Sequence, residues 1–340
     1  MKAVKLFLLC LSLLSLAILS GCGETQSTGD EGEYQKVRLV MTCNGTDITS
    51  DAKVSKKFAE LVSEASNGNV QIDVFTNDVP AGGDMSRGVE MVADGAVDFG
   101  SYAATVMSVI DERLSVGSVP WTFDNYQEVR HIIDSTGGEY YAKLLAVQGL
   151  TYLGSTHNGF RQVSNNKHPV QTPEDLEGLT IRVPGGDFYF RFWRAFDVNP
   201  VAMTNLQSVY SAIQQGVFDG QENGFSVTDS ARLNEVQKYM TVWNYTYENY
   251  LFVANTTSFE MLEPRTQQLI REKMAEACEW GRDIVENEDD ALRQKFIDGG
   301  TELTILTAEQ LKPFQEKARN VRHKMIERYG AEACEAFKIY

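Results

Sequence analysis

Two arginines stand in stretches where a charge is hard to place. Arg182 lies between Ile181 and Val183 in "EGLTIRVPGG" (177 to 186), a short apolar run of the kind that forms a buried strand. A guanidinium is almost never fully buried without a partner, so either this strand ends at a solvated cleft or an anion meets the charge. Upstream, "THNGFRQVSNN" places Arg161 in a second extended run, with Phe160 and Gln162 on the face opposite to it. Between the runs, Thr172-Pro173-Glu174-Asp175 has the cap, first-turn proline and acidic third position of a helix start. A helix there predicts neighbouring parallel strands with both guanidiniums at one sheet edge. Two guanidiniums brought together repel unless an anion lies between them. A carboxylate answers that need, each charged hydrogen bond adding roughly 1.5 to 3 kcal/mol. The competing reading is a structural Asp or Glu pairing with either arginine inside its own lobe.

Catalysis on a small acid would need an activated nucleophile, a paired acid and base, or a metal. The sequence holds no G-x-S-x-G, H-E-x-x-H or phosphate loop, and His131, His157, His168 and His323 form no ligand spacing. His157, the histidine near the arginines, has no evident partner in the sequence. No catalytic residue, metal or cofactor is therefore expected.

The elements around the arginines alternate strand and helix. "VRLVM" (37 to 41) reads as a buried strand, and Val54, Phe58, Leu61, Val62 and Ala65 share one helix face. "VQIDVF" (70 to 75), a helix over about 85 to 94 and "AVDFGSY" complete a βαβαβ start, hence a parallel α/β sheet. A second unit follows Thr172: "LTIRV", the aromatic helix "DFYFRFWRAF", then a helix with Val209 and Ile213 that stops at Gly216. "MVADGAVDFGSY" (91 to 102) and "AIQQGVFDGQENG" (212 to 224) both end a helix with Gly-x-x-Asp and run into a short strand, so two lobes share one local design. "YMTVWNYTYENYLFVAN" (239 to 255) makes two strands or one spanning both lobes; 257 to 298 and 307 to 329 read as helical, the latter opened by the capping box Thr307 to Gln310. Repeated crossing makes a hinge of several strands, and a cleft between α/β lobes is a standard ligand site. Most of the rings in helix 187 to 196 must be core, with Tyr189 or Trp193 able to reach the cleft; Trp121 fits a cleft wall or a hinge plug.

The first residues, "MKAVKLFLLCLSLLSLAILSGC", have the charge, length and small-residue ending of an export leader over residues 1 to 21. Leu19-Ser20-Gly21-Cys22 resembles a bacterial lipobox, in which Cys22 is lipidated and holds the chain to a membrane surface outside the cytoplasm. Residues 22 to 35 read as a flexible tether. The formal net charge of -16, more negative still once Lys2 and Lys5 leave with the leader, excludes nucleic acid as a partner of the surface at large. It does not exclude an anionic ligand in a closed pocket, since exposed charge is screened within about 8 Å. Cys43, Cys278 and Cys334 suit buried small hydrophobes, with a Cys278 to Cys334 bridge as the alternative.

Taken together, "NGFRQVSN", "EDLEGLTIRVPGG", "NPVAM", "VYSAIQQGVFDGQENG" and "LFVAN", in this order and spacing, resemble the solute receptors of tripartite ATP-independent periplasmic (TRAP) transporters, the DctP-type family. The resemblance runs from about residue 37 to 330. It implies a two-lobed α/β fold like that of type II periplasmic binding proteins, with a multi-strand hinge and long helices. Lobe I is expected over 36 to 157 plus about 247 to 290, and lobe II over 158 to 246 plus part of about 300 to 335. It also implies a monomeric, non-catalytic receptor that closes over a small organic acid and delivers it to the small and large membrane permease subunits. A receptor feeding a sensor or chemotaxis protein, or an enzyme on small acids, are the alternatives. By this resemblance Arg182 is the principal carboxylate-binding residue, Arg161 a second, and Asn223 a polar ligand contact; Asn44, Asp84 and Asn249 align more loosely with cleft-facing positions, Asp84 suiting a ligand hydroxyl. Gly185 and Gly186 after "RVP", and the longer "MTNLQSVY", depart from the family pattern where selectivity is set, so Asn205 and Leu206 are both left open as lining residues. A sugar acid such as a uronate, a C4-dicarboxylate and an aromatic acid all fit.

Overall fold

The structure is a computed structural model and describes residues 33–340; the leader, Cys22 and most of the tether lie outside the described residues. The chain begins with β1 (Val37–Cys43), α1 (Ser50–Ala65), β2 (Val70–Phe75), α2 (Met85–Ala93) and β3 (Phe99–Ala103). Both β2 and β3 lie parallel to β1, with Leu39 opposite Ile72 and Met41 opposite Phe99. α1 buries Val54, Phe58, Leu61 and Val62 against this sheet, Phe58 meeting Phe99 edge-on at 5.9 Å; Ala65, at the helix end, is exposed. After α3 (Tyr126–Ile132) and α4 (Gly138–Val147), β4 (Leu150–Phe160) joins the same sheet.

One residue later the chain enters a second sheet. β5 (Gln162–Asn165), β6 (Thr180–Val183), α5 (Asp187–Arg194), β7 (Asn199–Ala202), α6 (Leu206–Gln214), β8 (Gly220–Asn223), α7 (Phe225–Ser230) and β9 (Tyr239–Val242) build it. The chain then returns through β10 (Tyr247–Asn255), which lies antiparallel between β3 and β4. α8 (Thr256–Glu260), α9 (Pro264–Asp298), β11 (Glu302–Ile305) and α10 (Ala308–Ala336) complete the fold. The sheet orders are β2-β1-β3-β10-β4 and β11-β9-β5-β8-β6-β7. "YMTVWNYTYENYLFVAN" is thus two strands, one in each sheet.

The two sheets repeat one device, as the Gly-x-x-Asp pattern predicts. Gly95 and Gly216 take φ of 76° and 74°, the left-handed conformation that ends a helix. Three residues on, the Asp98 carboxylate accepts the Val40 N–H while its own N–H donates to Val40 O; Asp219 does the same with Thr180. Each aspartate therefore fixes where its strand starts against the parallel neighbour, β1 in one case and β6 in the other.

The expected arrangement of the two arginine strands needs correction. β8 lies between β5 and β6, antiparallel to β5 and parallel to β6, so the strands flanking Arg161 and Arg182 are neither adjacent nor parallel. No full helix forms at Thr172: Pro173–Leu176 is one tight turn whose Thr172 and Asp175 cap each other. A single turn cannot make a right-handed crossover, and the chain instead leaves room for β8 to insert.

Two helices span the halves. α9, 35 residues and about 52 Å long at 1.5 Å per residue, packs on α1 near Gly281, where a Cβ would lie 2.2 Å from Val54, and reaches Phe225 beyond β8 through Phe296. Phe314 near the start of α10 meets Phe196 and Trp243, and Phe337 just beyond its end meets Tyr140 and Tyr141. Trp121, at φ 51°, plugs the hinge side: it packs against Phe192 and Trp243 and donates its backbone N–H to Tyr245 O. Cys43, Cys278 and Cys334 are buried free thiols, so the alternative bridge is absent. No helix among the described residues is long and apolar enough to cross a membrane.

Candidate functional site

A narrow, partly open cavity of about 30 Å³ lies between the two sheets. Its first wall comes from the loop after β1 (Asn44), α2 (Met85), β3 (Ala103), β4 (Asn158) and β10 (Glu248, Tyr250). The second comes from β6 (Arg182), the turn after it (Pro184), α6 (Leu206), β8 (Asn223) and α7 (Val227), with Arg161 at the crossing between β4 and β5.

Arg182 is 1% exposed, yet it forms no ion pair with a carboxylate among the described residues. Its Nε and Nη2 both donate to the Met203 carbonyl, at 3.0 and 2.6 Å, which anchors one edge of the guanidinium and sets its direction. Burial pulls its pKa down to about 10, against the attraction of Glu222 and with the repulsion of Arg161. A desolvated cation held on one edge by a backbone carbonyl keeps N–H donors that an anion could meet.

Arg161 lines the same cavity in a different electrostatic state. Nε and Nη2 donate to the two Glu222 oxygens at 2.6 and 2.7 Å, Nη2 also to Asn223 Oδ1 at 2.9 Å, and Nη1 to Glu248. Burial acts to lower its pKa, but Glu222 and then Glu248 outweigh that and hold it well above the usual value. Its fork is therefore filled by protein, and no second anion is needed to neutralise it. Asn223 is likewise engaged at both ends, its amide nitrogen donating to Gln221 at 2.6 Å.

Glu248 joins the halves. It accepts from Thr105 of the first half, from Arg161 at the crossing, from Tyr189 Oη of α5 at 3.0 Å and from Asn158 at 3.3 Å. Tyr189 thus reaches the interface as a latch through its hydroxyl, whereas Trp193 sits in the aromatic core. Thr204 Oγ1 donates across the seam to Asp84 at 3.3 Å. These contacts join the two walls around the cavity.

The remaining predicted positions divide. Asn44 lines the cavity. Asp84 does not: it caps α2, accepting from Ser86 and Arg87 backbone N–H groups, the ordinary use of an aspartate just before a helix. Asn249 does not line it either. It is buried on the opposite side of β10, between Tyr141 and Ser155, because successive strand residues face opposite ways; Glu248 and Tyr250 take the cavity side. Asn205 caps α6, leaving Leu206 as the lining residue. His157 has partners after all, Tyr247 Oη at 2.7 Å and Glu286 at 3.0 Å, and lies outside the cavity wall. Sequence reasoning missed Glu248 and Asn158. Among the described residues no group of three or more His, Cys, Asp and Glu side chains is placed to hold a metal ion.

A family profile described as bacterial extracellular solute-binding protein, family 7 (DctP), matches residues 44–329. The chain belongs to that family. Among DctP relatives it is 30% identical over 297 residues to the C4-dicarboxylate-binding periplasmic protein DctP of Rhodobacter capsulatus, covering 85% of this chain and 86% of that one. It is 27% identical to the 2,3-diketo-L-gulonate-binding periplasmic protein YiaO of Escherichia coli, over 84% and 85% of the two chains. A solved TRAP periplasmic solute-binding protein from Chromohalobacter salexigens with bound D-glucuronate superposes with a TM-score of 0.83 at 26% identity, covering 89% of this chain and 100% of that one. The chain is thus a TRAP-type solute-binding protein, of a family whose members bind organic acids.

Two buried carboxyls brace the segment around the Asn44 loop, Asp51 through a backbone N–H and Asp78 through two hydroxyls. Asp51 accepts the Gly45 N–H at 2.9 Å, and Asp78 receives Tyr102 Oη at 2.7 Å and Thr42 at 3.3 Å. Burial raises the first to about 6 and the second to about 7. A carboxyl whose folded pKa exceeds its unfolded one stabilises fully below about pH 4 and loses that contribution as pH rises through the folded value. Apo thermal stability should therefore fall between about pH 4 and pH 7, by on the order of a few kcal/mol from Asp78, and level off above. Asp78→Asn should flatten that slope in a melting series across this range.

Proposed function

We propose that this protein is the extracytoplasmic receptor of a TRAP transporter that binds one small organic acid through Arg182, closes its two halves over it and presents the closed complex to the membrane permease. Lipidation at Cys22, with residues 22 to 35 as tether, keeps it at the membrane surface. The observation that carries this reading is a buried guanidinium, lining a cavity between the two sheets, that forms no ion pair with a carboxylate among the described residues. Arg161, held by Glu222 and Glu248, and Asn223, held by Arg161 and Gln221, shape the wall beside Arg182, and Asn44 faces the ligand from the other wall. An acid that touches Arg182 on one side and the Asn44 wall on the other makes its full set of contacts only when the halves are shut, so it shifts the population toward the closed form.

The bound acids of the relatives, a glucuronate, a diketogulonate and C4-dicarboxylates, support a carboxylate ligand as a class. Thermal unfolding against a library of small carboxylates tests the reading. At a hundredfold excess over the dissociation constant a true ligand adds about 2.7 kcal/mol, and it should be recovered chemically unchanged. A library that leaves the melting temperature flat throughout would contradict it.

A further inference from the structure

Two buried acceptors in the cavity wall have no donor. Asn158 is 4% exposed; its amide nitrogen is held by Glu248 Oε2 at 3.3 Å, which turns Oδ1 away from that anchor, and Oδ1 has no hydrogen-bond partner among the described residues. Asn44 Oδ1 is also inaccessible and unpartnered, while its amide nitrogen makes a long contact of 4.0 Å to Met85 Sδ. Both residues belong to the first wall, across the cavity from Arg182. A buried acceptor left without a donor is costly, so the group that fills this end should bring O–H or N–H bonds.

The charges lead to the same chemistry. The cations lining the cavity are Arg161 and Arg182, and Arg161 is bound to Glu222 and Glu248. One guanidinium remains for one carboxylate. A second carboxylate on the ligand, placed toward the first wall, would meet the Glu248 carboxylate and the Asn158 amide oxygen, whose own nitrogen is already held by Glu248. Leu206 and Val227 offer apolar surface to the carbon chain between the two ends.

We infer that the acid is a hydroxylated monocarboxylate, its carboxylate on Arg182 and its distal hydroxyls donating to Asn44 Oδ1 and Asn158 Oδ1, and that dicarboxylates are disfavoured. This rests on the receptor reading above and deepens it. Each hydroxyl bond is worth about tenfold in affinity, so two give about 100-fold over an acid of similar length without hydroxyls.

Titration calorimetry with the full exported chain tests this with three sets of probes: hydroxylated monocarboxylates (D-glucuronate, D-galacturonate, D-gluconate and D-glycerate), hexanoate, and succinate. At least one of the first set should bind about 100-fold more tightly than hexanoate or succinate. The Asn44→Leu, Asn158→Leu double variant should lose that advantage, and a cooperative melting transition in the absence of ligand shows that it is folded. Succinate or hexanoate binding as well as the best hydroxylated acid would overturn the inference and leave the receptor reading standing, as would an advantage that survives in the double variant. Failure of every probe in the wild-type protein would overturn both.

Discussion

Arg182→Met should reduce affinity for the acid by about 10² to 10⁴-fold, the loss of two charged hydrogen bonds, without lowering the melting temperature of the unliganded protein. The two outcomes belong together. A guanidinium whose pKa is pulled to about 10 by burial is a cost to the apo fold, and methionine fills similar space without a charge to desolvate. Because the folded pKa lies below the unfolded one, the burden is present below about pH 10 and is relieved above it. Arg182→Lys keeps a charge but loses the planar fork, so it should fall between wild type and Arg182→Met. Calorimetry for affinity and scanning fluorimetry for the apo melt read the two effects separately.

Arg161→Met should do the reverse, destabilising the apo protein by about 3 to 5 kcal/mol, roughly 10 °C in melting temperature for a chain of this size. Its removal strands two buried carboxyls, Glu222 at 0% and Glu248 at 1% exposure, both of which it binds directly. Tyr245 Oη would still donate to Glu222, and Thr105, Tyr189 and Asn158 to Glu248, but these neutral donors leave two buried acidic groups without a cation between them. Adding Glu222→Gln and Glu248→Gln to Arg161→Met should recover part of the loss, since the penalty lies in the unpaired charge. If Arg161→Met melts like wild type, the description of this cluster as the hinge's internal ion pair is wrong.

The contrast between these arginines marks how far the sequence is readable. Both stand in apolar extended runs, and nothing local distinguishes them. What separates them is sequence-distant: Glu222 lies 61 residues from Arg161 and Glu248 lies 87 away, whereas Arg182 meets only a carbonyl 21 residues on. Local signals fared better. The period-two strands and helix faces of the first βαβαβ unit are legible directly, as is the Gly-x-x-Asp device that both sheets repeat. The strand-crossing hinge is legible in outline only, since a 17-residue apolar run does not say where it changes sheets. Asn249 shows the sharpest limit. An alignment one residue off is a small error in sequence but a reversal in a strand, and pairing with β4 shifts register between Glu248 and Asn249. Asp84 was decidable from its place before a helix, where a cap competes with any ligand role. Insertion of β8 between β5 and β6 was not decidable, because strand order within a sheet is set by packing of both faces rather than by the pattern of any one strand.

The most direct measurement is a crystal structure of the protein with whichever carboxylate raises its melting temperature most. The ligand carboxylate is expected within about 3 Å of the Arg182 guanidinium, with Arg161 still held by Glu222 and Glu248. A carboxylate bound elsewhere, with Arg182 contacting nothing but the Met203 carbonyl, would contradict the account.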